Sequence, residues 1–184
     1  MARSAALLMD LQRDFLGAEG SRMPVQPEAV PGVIETANAI LGGEALPKVL
    51  PILIVNRFPA TDRIANFFRN GAAVSGTPGA GLDPRILAPS MVNVLVKERP
   101  SAFTNPGLDR LLQAEGITDL YVLGVFAEGC VRSTVLDARR RGYAVHVIAN
   151  AVATNASWKK RFALWAMRRS GANVIQSVHV QTAS

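Results

Sequence analysis

The sequence predicts an α/β protein whose sheet is mainly parallel and is covered by helices on both faces. Short apolar runs typical of buried strands alternate along the chain with longer amphipathic runs of helical period. Strands joined through helices require right-handed crossovers, and such crossovers make neighbouring strands parallel. The 184 residues contain no internal repeat and no linker-like segment, so we expect residues 1–184 to fold as a single domain.

Six runs are predicted to be the strands, because each is a predominantly apolar stretch bounded by turn or loop residues. The first stops at a carboxylate, Asp10, and the third stops at Lys97. In chain order the predicted strands are Ser4–Met9, Pro51–Val55, Val92–Val96, Leu120–Val125, Ala144–Ile148 and Asn173–Ile175.

Four amphipathic runs between these strands are predicted to be helices. The first begins with Pro31, which suits the first turn of a helix, and ends at Gly42. Ser157 is the expected N-cap of the last helix. The segment Pro59–Leu87 is rich in Gly and Pro and is predicted to be a long irregular loop of the kind that is usually functional. In chain order the predicted helices are Pro31–Leu41, Pro106–Glu115, Cys130–Arg141 and Ser157–Ser170.

Composition argues against several classes of protein. The net charge of +6 and the pI near 10.2 raise nucleic acid as a partner, but the basic residues fall in short groups without interleaved aromatic residues. Solvated helix faces explain them better, so we expect no nucleic-acid partner. No stretch approaches 18 apolar residues, and we expect no membrane association. A lone cysteine cannot form an internal disulfide, which favours a reducing compartment and a cytoplasmic protein.

The only cysteine, Cys130, stands where the predicted strand Leu120–Val125 gives way to a predicted helix. The unpaired backbone N–H groups and the dipole at a helix N-terminus favour negative charge, so a thiol at this position is expected to ionise more easily than a free one. Because the thiolate is the nucleophilic form, Cys130 is a candidate nucleophile. The alternative is a small buried hydrophobic residue, which is a common role of free cysteine.

Asp10, Lys97 and Cys130 each lie just past the C-terminal end of a predicted parallel strand. In open α/β sheets this edge is where ligands bind. Taken singly, Asp10 could cap a turn and Lys97 could be a solvated strand end. Taken together, a carboxylate, an ammonium group and a thiol in contact would form an activated nucleophile with its own proton acceptor.

Three segments that carry these residues resemble the signature blocks of the isochorismatase-like cysteine hydrolases, in the same order over nearly the whole chain. The resemblance implies a three-layer αβα, Rossmann-like fold with a mainly parallel six-stranded sheet. It also implies a catalytic Asp–Lys–Cys triad made of Asp10, Lys97 and Cys130. The three segments are Ala5–Phe15, Val94–Phe103 and Gly124–Thr134, the last continuing to Asp137 and Ala138.

The resemblance further implies metal-independent hydrolysis of a C–N bond in a small amide or carbamoyl compound, through a thioester on Cys130. A cis peptide bond between Val125 and Phe126 and an oxyanion hole formed by the backbone N–H groups of Phe126 and Cys130 belong to the same expectation. Two alternatives stay open: an isochorismatase-type vinyl-ether hydrolase, and a catalytically idle binding protein of the same fold. Vinyl-ether hydrolysis in this family is described without a cysteine nucleophile, so Cys130 favours amide chemistry.

No metal and no cofactor are expected. Nicotinamidases of this superfamily bind a metal through an aspartate and histidines placed after the second strand, whereas here that place reads Asn56–Asp62 without a histidine. The two histidines of the chain are His146, expected on a sheet face or in packing, and His179, expected at the surface. The segment Gly76–Gly81 lacks the glycine spacing of a dinucleotide-binding loop.

Substrate contacts are predicted from residues near the strand ends. Phe15, Phe58 and Phe103 are candidates for an aromatic pocket wall, with Phe15 and Phe103 preferred, and the alternative for each is a place in the core. Val125 and Phe126 lie beside the nucleophile loop. Arg57 is a candidate partner for a substrate carboxylate, because a guanidinium binds that group through two hydrogen bonds. The alternative for Arg57 is a surface arginine paired with Asp62 or solvent.

A homo-oligomer, either a dimer or a tetramer, is expected because members of the family commonly assemble. The last predicted helix supports this expectation, since it carries more apolar residues than one buried stripe requires. These residues are Phe162, Leu164, Trp165 and Met167.

Overall fold

A computed structural model describes residues 3–17 and 20–178, apart from the side chain of residue 65. In this part of the chain six strands form one sheet with the order β3-β2-β1-β4-β5-β6, and every pairing between neighbouring strands is parallel. The predicted α/β class and six-stranded parallel sheet are therefore confirmed. The strands are β1 Arg3–Met9, β2 Leu50–Asn56, β3 Asn93–Lys97, β4 Ile117–Val125, β5 Ala144–Ala153 and β6 Asn173–Ile175.

Helices cover both faces of the sheet. Alternate residues of a strand point to opposite faces, and accordingly Leu8 of β1 packs in the core under α1, while Leu7 packs in the core under α3, α4 and α5. This arrangement gives the three αβα layers of a Rossmann-like fold, as expected. The helices are α1 Val30–Leu41, α2 Arg63–Phe68, α3 Pro106–Ala114, α4 Arg132–Arg140 and α5 Ser157–Arg169. None of the helices described is long and apolar enough to cross a membrane.

The strand order reverses between β1 and β4. The chain runs outward from β1 to β2 and β3, then returns to place β4 on the other side of β1. In sheets of this kind the crevice outside the carboxyl ends of the strands, at the reversal, is the usual ligand site. Gly124 permits the close approach of the two strands there: its φ is +112°, and a Cβ atom on it would overlap the backbone of Met9.

The segment Pro59–Leu87 is more structured than predicted, because it contains α2 and a 3₁₀ turn at Pro78–Ala80. The helix was missed for a physical reason. Its large apolar side chains, Ile64, Phe67 and Phe68, are each more than three-quarters exposed. They do not form the apolar stripe facing the core by which an amphipathic helix is recognised in a sequence.

Two predicted helix starts are also corrected. Residues Ala127–Val131 form a π-helical turn and α4 begins only at Arg132, so Cys130 precedes the α-helix instead of opening it. The N-cap of α5 is Ala156, not Ser157. The Ser157 hydroxyl donates a hydrogen bond to the side chain of Gln26 at 3.1 Å.

Candidate active site

Four polar side chains meet at the carboxyl edge of the sheet. Asp10 directly follows β1, Asn56 ends β2, Lys97 ends β3, and Cys130 lies in the turn after β4. Asn56 and Lys97 are register partners in neighbouring strands. The Asp10 backbone has a φ of +55°, and its N–H donates to the carbonyl of Ile54 in β2 at 2.8 Å. The sheet therefore brings together residues that are far apart in sequence.

Lys97 is the centre of this cluster. Its Nζ atom lies 3.0 Å from Asp10 Oδ2, 2.8 Å from Asn56 Oδ1 and 3.2 Å from Cys130 Sγ. These contacts use all three N–H donors of the ammonium group. The side chains of Lys97 and Asp10 are 0% and 1% exposed, so their ion pair is almost completely removed from solvent.

The two oxygens of Asp10 have different surroundings. Oδ2 accepts the hydrogen bond from Lys97, whereas Oδ1 is buried and accepts no hydrogen bond from the described part of the chain. A buried carboxylate oxygen without a donor is costly and is a natural acceptor for a proton. Asn56 Nδ2 lies 3.7 Å from Cys130 Sγ, so the sulfur contacts both Lys97 and Asn56.

The electrostatics of the cluster correct one expectation. Burial, followed by the charge of Asp10, raises the pKa of the Cys130 thiol to about 12, and the nearby ammonium of Lys97 offsets this only in part. The thiol is therefore less acidic than a free one, contrary to the sequence-based expectation. The cause is that the thiol of Cys130 lies in a partly buried π-helical turn beside a carboxylate, where loss of solvation raises the pKa more than a helix N-terminus would lower it.

The other two groups shift upwards as well. Burial raises the pKa of Asp10 above its ordinary 3.8, because removal from water outweighs the attraction of Lys97. Burial disfavours the Lys97 ammonium, but the negative charges of Asp10 and Cys130 raise its pKa above the ordinary 10.5. At neutral pH the cluster thus contains a protonated lysine and a neutral thiol.

Gln12 fixes the position of Asn56. Its side-chain oxygen accepts from the Asn56 N–H at 2.8 Å, and its amide nitrogen donates to the carbonyls of Asn56 at 2.8 Å and Ala80 at 2.7 Å. Gln12 is 0% exposed, so these bonds are shielded from competing water. Through Gln12, the loop that contains Ala80 is tied to the residue that holds Lys97.

A cavity of about 410 Å³ opens beside Cys130. Phe15 and Phe126 form part of its wall, with their ring centroids 5.5 Å apart in an edge-to-face arrangement. Both residues were predicted to contact the substrate, and both lie in the wall of this cavity. The full lining is Phe15, Met23, Asn56, Phe58, Arg69, Glu98, Arg99, Pro100, Phe126, Glu128, Gly129 and Cys130.

Three other predicted contacts are corrected. Arg57 is exposed and lies outside the cavity, because successive residues of an extended segment point in opposite directions and Asn56 points inward. Phe103 belongs to the core on the opposite face of the sheet, where its ring stacks on Tyr143 with centroids 6.1 Å apart. The side chain of Val125 is 0% exposed and packs in the core under α1.

Several cavity residues were missed at the sequence level. Asn56 could have been found, since it follows a predicted strand just as Lys97 does. Arg69 gave no such signal, because it follows a helix that has no amphipathic pattern.

The turn that carries Cys130 is fixed by its backbone. The peptide bond between Val125 and Phe126 is cis. The carbonyl oxygen of Phe126 accepts hydrogen bonds from the N–H groups of Gly129 and Val131, both at 3.1 Å. This oxygen is thereby engaged within the turn and does not compete for a ligand.

The residues after β2 do not fit the metal site of the nicotinamidases. Asn56 is engaged with Lys97, and the described ranges hold no cluster of three or more His, Cys, Asp or Glu side chains suited to a metal ion. His146 lies in β5 and stacks on Tyr121 with centroids 4.8 Å apart, as expected for a sheet-face residue. His179 lies outside the described residues.

Known proteins are similar to this chain over most of its length. The family model of the isochorismatase domain matches residues 4–178. A probable inactive nicotinamidase from Arabidopsis thaliana is 32% identical over 162 residues, covering 82% of this chain and 80% of the relative. The maleamate amidohydrolase of Pseudomonas putida is 27% identical over 164 residues, covering 82% of this chain and 72% of that enzyme. The crystal structure of an isochorismatase-like hydrolase from Alkaliphilus metalliredigens has a TM-score of 0.82 at 26% identity, covering 94% of both chains.

Proposed function

This chain belongs to the isochorismatase domain family, and from that premise we propose that it is a cysteine hydrolase that cleaves the C–N bond of a small amide or carbamoyl compound without a metal. One observation carries the proposal: Lys97 Nζ contacts both Asp10 and Cys130 beside a cavity large enough for a small molecule. The maleamate amidohydrolase similar to this chain is named for amide hydrolysis, which is consistent with this chemistry.

In the first step the Cys130 sulfur attacks the amide carbon while the thiol proton passes to Asp10. A neutral thiol is a weak nucleophile, so its proton must leave as the S–C bond forms. Asp10 Oδ1 is suited to accept it, because it is buried and has no hydrogen-bond partner in the described residues. Lys97, 3.2 Å from the sulfur, stabilises the negative charge that develops there.

The π electrons of the carbonyl move to its oxygen and give a tetrahedral oxyanion. We assign the backbone N–H groups of Phe126 and Cys130 as its hydrogen-bond donors, because both belong to the turn that borders the cavity. Donors already held in place cost no reorganisation when the charge develops, which makes such holes effective. The hydrogen bonds from Gly129 and Val131 to the Phe126 carbonyl support the required rigidity of the turn.

The oxyanion then collapses and the C–N bond breaks. Asp10 returns the proton to the leaving nitrogen, ammonia or a small amine departs, and a thioester remains on Cys130. A water molecule, deprotonated by Asp10, attacks the thioester carbon through a second oxyanion. The C–S bond breaks, the sulfur recovers a proton from Asp10, and the carboxylic acid leaves.

A panel of small amides and N-carbamoyl compounds, assayed for ammonia release, tests this function. We expect turnover by the wild type and a loss on the order of 10³-fold or more in Cys130→Ala, with thermal unfolding showing that the variant is folded. Turnover of a vinyl ether that survives in Cys130→Ala would favour the isochorismatase-type alternative. The second alternative is a catalytically idle binding protein, and one relative is a probable inactive nicotinamidase. The absence of turnover on the whole panel would favour this alternative.

We further propose that the protein assembles into a homo-oligomer through the outer face of α5. Of the four residues named for this role, Met167 is buried and Leu164 half-buried, while Phe162 and Trp165 are 53% and 55% exposed. Trp158 continues the same stripe at helical spacing and is 68% exposed. Glu28 and Arg161 line a groove beside this face, so a two-fold arrangement can pair Glu28 of one copy with Arg161 of another.

A further inference from the structure

Arg69 is held rigidly in the wall of the cavity. Its guanidinium carbon lies 3.7 Å from the centre of the Phe58 ring, and its side chain is 27% exposed. A guanidinium stacked on an aromatic face at this distance is attracted by the ring and keeps its edge available for hydrogen bonds. The stacking therefore orients Arg69 before any ligand arrives.

The hydrogen bonds of Arg69 are unevenly distributed. Nη2 donates to Asn66 Oδ1 at 3.2 Å and makes a longer contact of 3.4 Å with Asp62 Oδ2. Nε is buried and donates to no atom in residues 3–17 and 20–178. Because Nε is buried, a ligand in the cavity reaches Arg69 through the part of its side chain that stays exposed, which is 27%.

The charges around the cavity leave Arg69 as the best-defined cationic contact. Arg99 and Glu98 also line the cavity, but both are exposed to solvent. Glu128 is the group that would oppose an anion, and its Oε1 atom lies 3.7 Å from Lys159 Nζ, which partly offsets its charge. Much of the remaining wall is apolar, including Phe15, Met23, Phe58 and Phe126. In an apolar pocket the few fixed polar groups decide which ligands bind and how they are oriented.

We infer that Arg69 binds an anionic group of the substrate through the exposed part of its guanidinium, so that the cavity selects amides or N-carbamoyl compounds that carry a carboxylate. The inference rests on the proposed hydrolase function and names the substrate class of that site. It replaces the role predicted for Arg57, which is exposed and outside the cavity.

Matched substrate pairs test the selection. Succinamate and N-carbamoylglycine carry a carboxylate, and their methyl esters are neutral while keeping the same C–N bond. We expect kcat/KM, measured by ammonia release, to favour the acids in the wild type. Arg69→Met should reduce that preference roughly 10- to 100-fold, the range typical of a lost hydrogen bond to a charged group, while leaving the esters nearly unchanged. Arg69→Lys should fall between the two, because lysine keeps the charge but lacks the planar guanidinium that binds a carboxylate through two hydrogen bonds.

Arg57→Met is the matched control, since it removes the same charge from a nearby exposed position and should leave the preference unchanged. Equal loss on acids and esters in Arg69→Met, or an unchanged preference, would overturn the inference. A binding measurement separates this failure from failure of the function: calorimetry of succinamate with Cys130→Ala, with and without Arg69→Met. If succinamate binding depends on Arg69 but the wild type turns over no substrate, the proposed hydrolase function is wrong and the anion-binding role of Arg69 stands. If the wild type turns over substrate but binding does not depend on Arg69, the hydrolase function stands and the role of Arg69 is wrong.

Discussion

The ammonium group of Lys97 lies 3.0 Å from the carboxylate of Asp10, with both side chains shut away from solvent. Removing one partner of such a pair leaves an uncompensated buried group, whereas removing both does not. We expect Lys97→Met to lower the free energy of unfolding by about 3 kcal/mol and the double variant Asp10→Leu with Lys97→Met to lower it by much less. Urea unfolding of the wild type, both single variants and the double variant measures the coupling. If the losses in unfolding free energy of the two single variants add up to that of the double variant, the interaction between Asp10 and Lys97 contributes nothing to stability.

The raised pKa of Cys130 makes alkylation of the free protein slow. The thiol ionises only as the pH approaches about 12, so the rate of reaction with iodoacetamide should rise steadily with pH and show no inflection near the ordinary value of 9.0. Because the Asp10 charge raises this pKa, Asp10→Asn should be alkylated faster than the wild type at pH 9, although the proposed mechanism predicts no turnover by this variant. A rate that levels off below pH 8 would contradict the assigned electrostatics.

In the proposed mechanism Asp10 sets the acid limit of hydrolysis. The proposed base must be a carboxylate, and burial raises its pKa above 3.8, so activity should be lost as the pH falls through that raised value. We therefore expect the acid limb of kcat/KM to lie above pH 3.8. The profile is measured with a neutral amide, so that the substrate itself does not titrate. Full activity down to pH 4 would rule out Asp10 as the base.

Gly124 is expected to tolerate no side chain. A Cβ atom there would overlap the Met9 backbone, next to Asp10, in addition to requiring a φ of +112°. We expect Gly124→Ala to lower the free energy of unfolding by about 3 kcal/mol. Gly43→Ala is the control, because Gly43 has a φ of +77° but nothing within 4 Å of its added Cβ, and should cost about 1 kcal/mol. Similar losses in the two variants would show that β1 and β4 can move apart.

Assembly through α5 predicts a change of mass on substitution. Light scattering after size exclusion should show a dimer or tetramer for the wild type and a smaller species for Trp165→Glu. Phe67→Glu is the control, because Phe67 is 81% exposed on α2 and lies on another surface. A monomeric wild type, or equal effects of the two substitutions, would argue against this face.

The fold could be predicted because the apolar runs and glycine boundaries are local signals. The predicted start of α3 at Pro106 and the predicted end of β1 at Met9 agree with the structure. In contrast, β5 continues to Ala153, five residues beyond the predicted end at Ile148, because polar Asn150 interrupts the apolar run. Of the site, Asp10, Lys97 and Cys130 could be located, since strand ends and the family resemblance both point to them. The cavity wall could not, because whether Phe103 or Arg69 faces it depends on tertiary packing across the sheet.

Asp10, Asn56 and Lys97 are supplied by three neighbouring strands, and Asp10 and Lys97 are 87 positions apart in sequence. A slip of one residue in any of these strands would turn its terminal side chain to the other face. For the proposed hydrolase, turnover therefore reports on refolding: a renatured sample that hydrolyses its substrate has regained the native alignment of β1, β2 and β3, whatever its spectroscopic helix content.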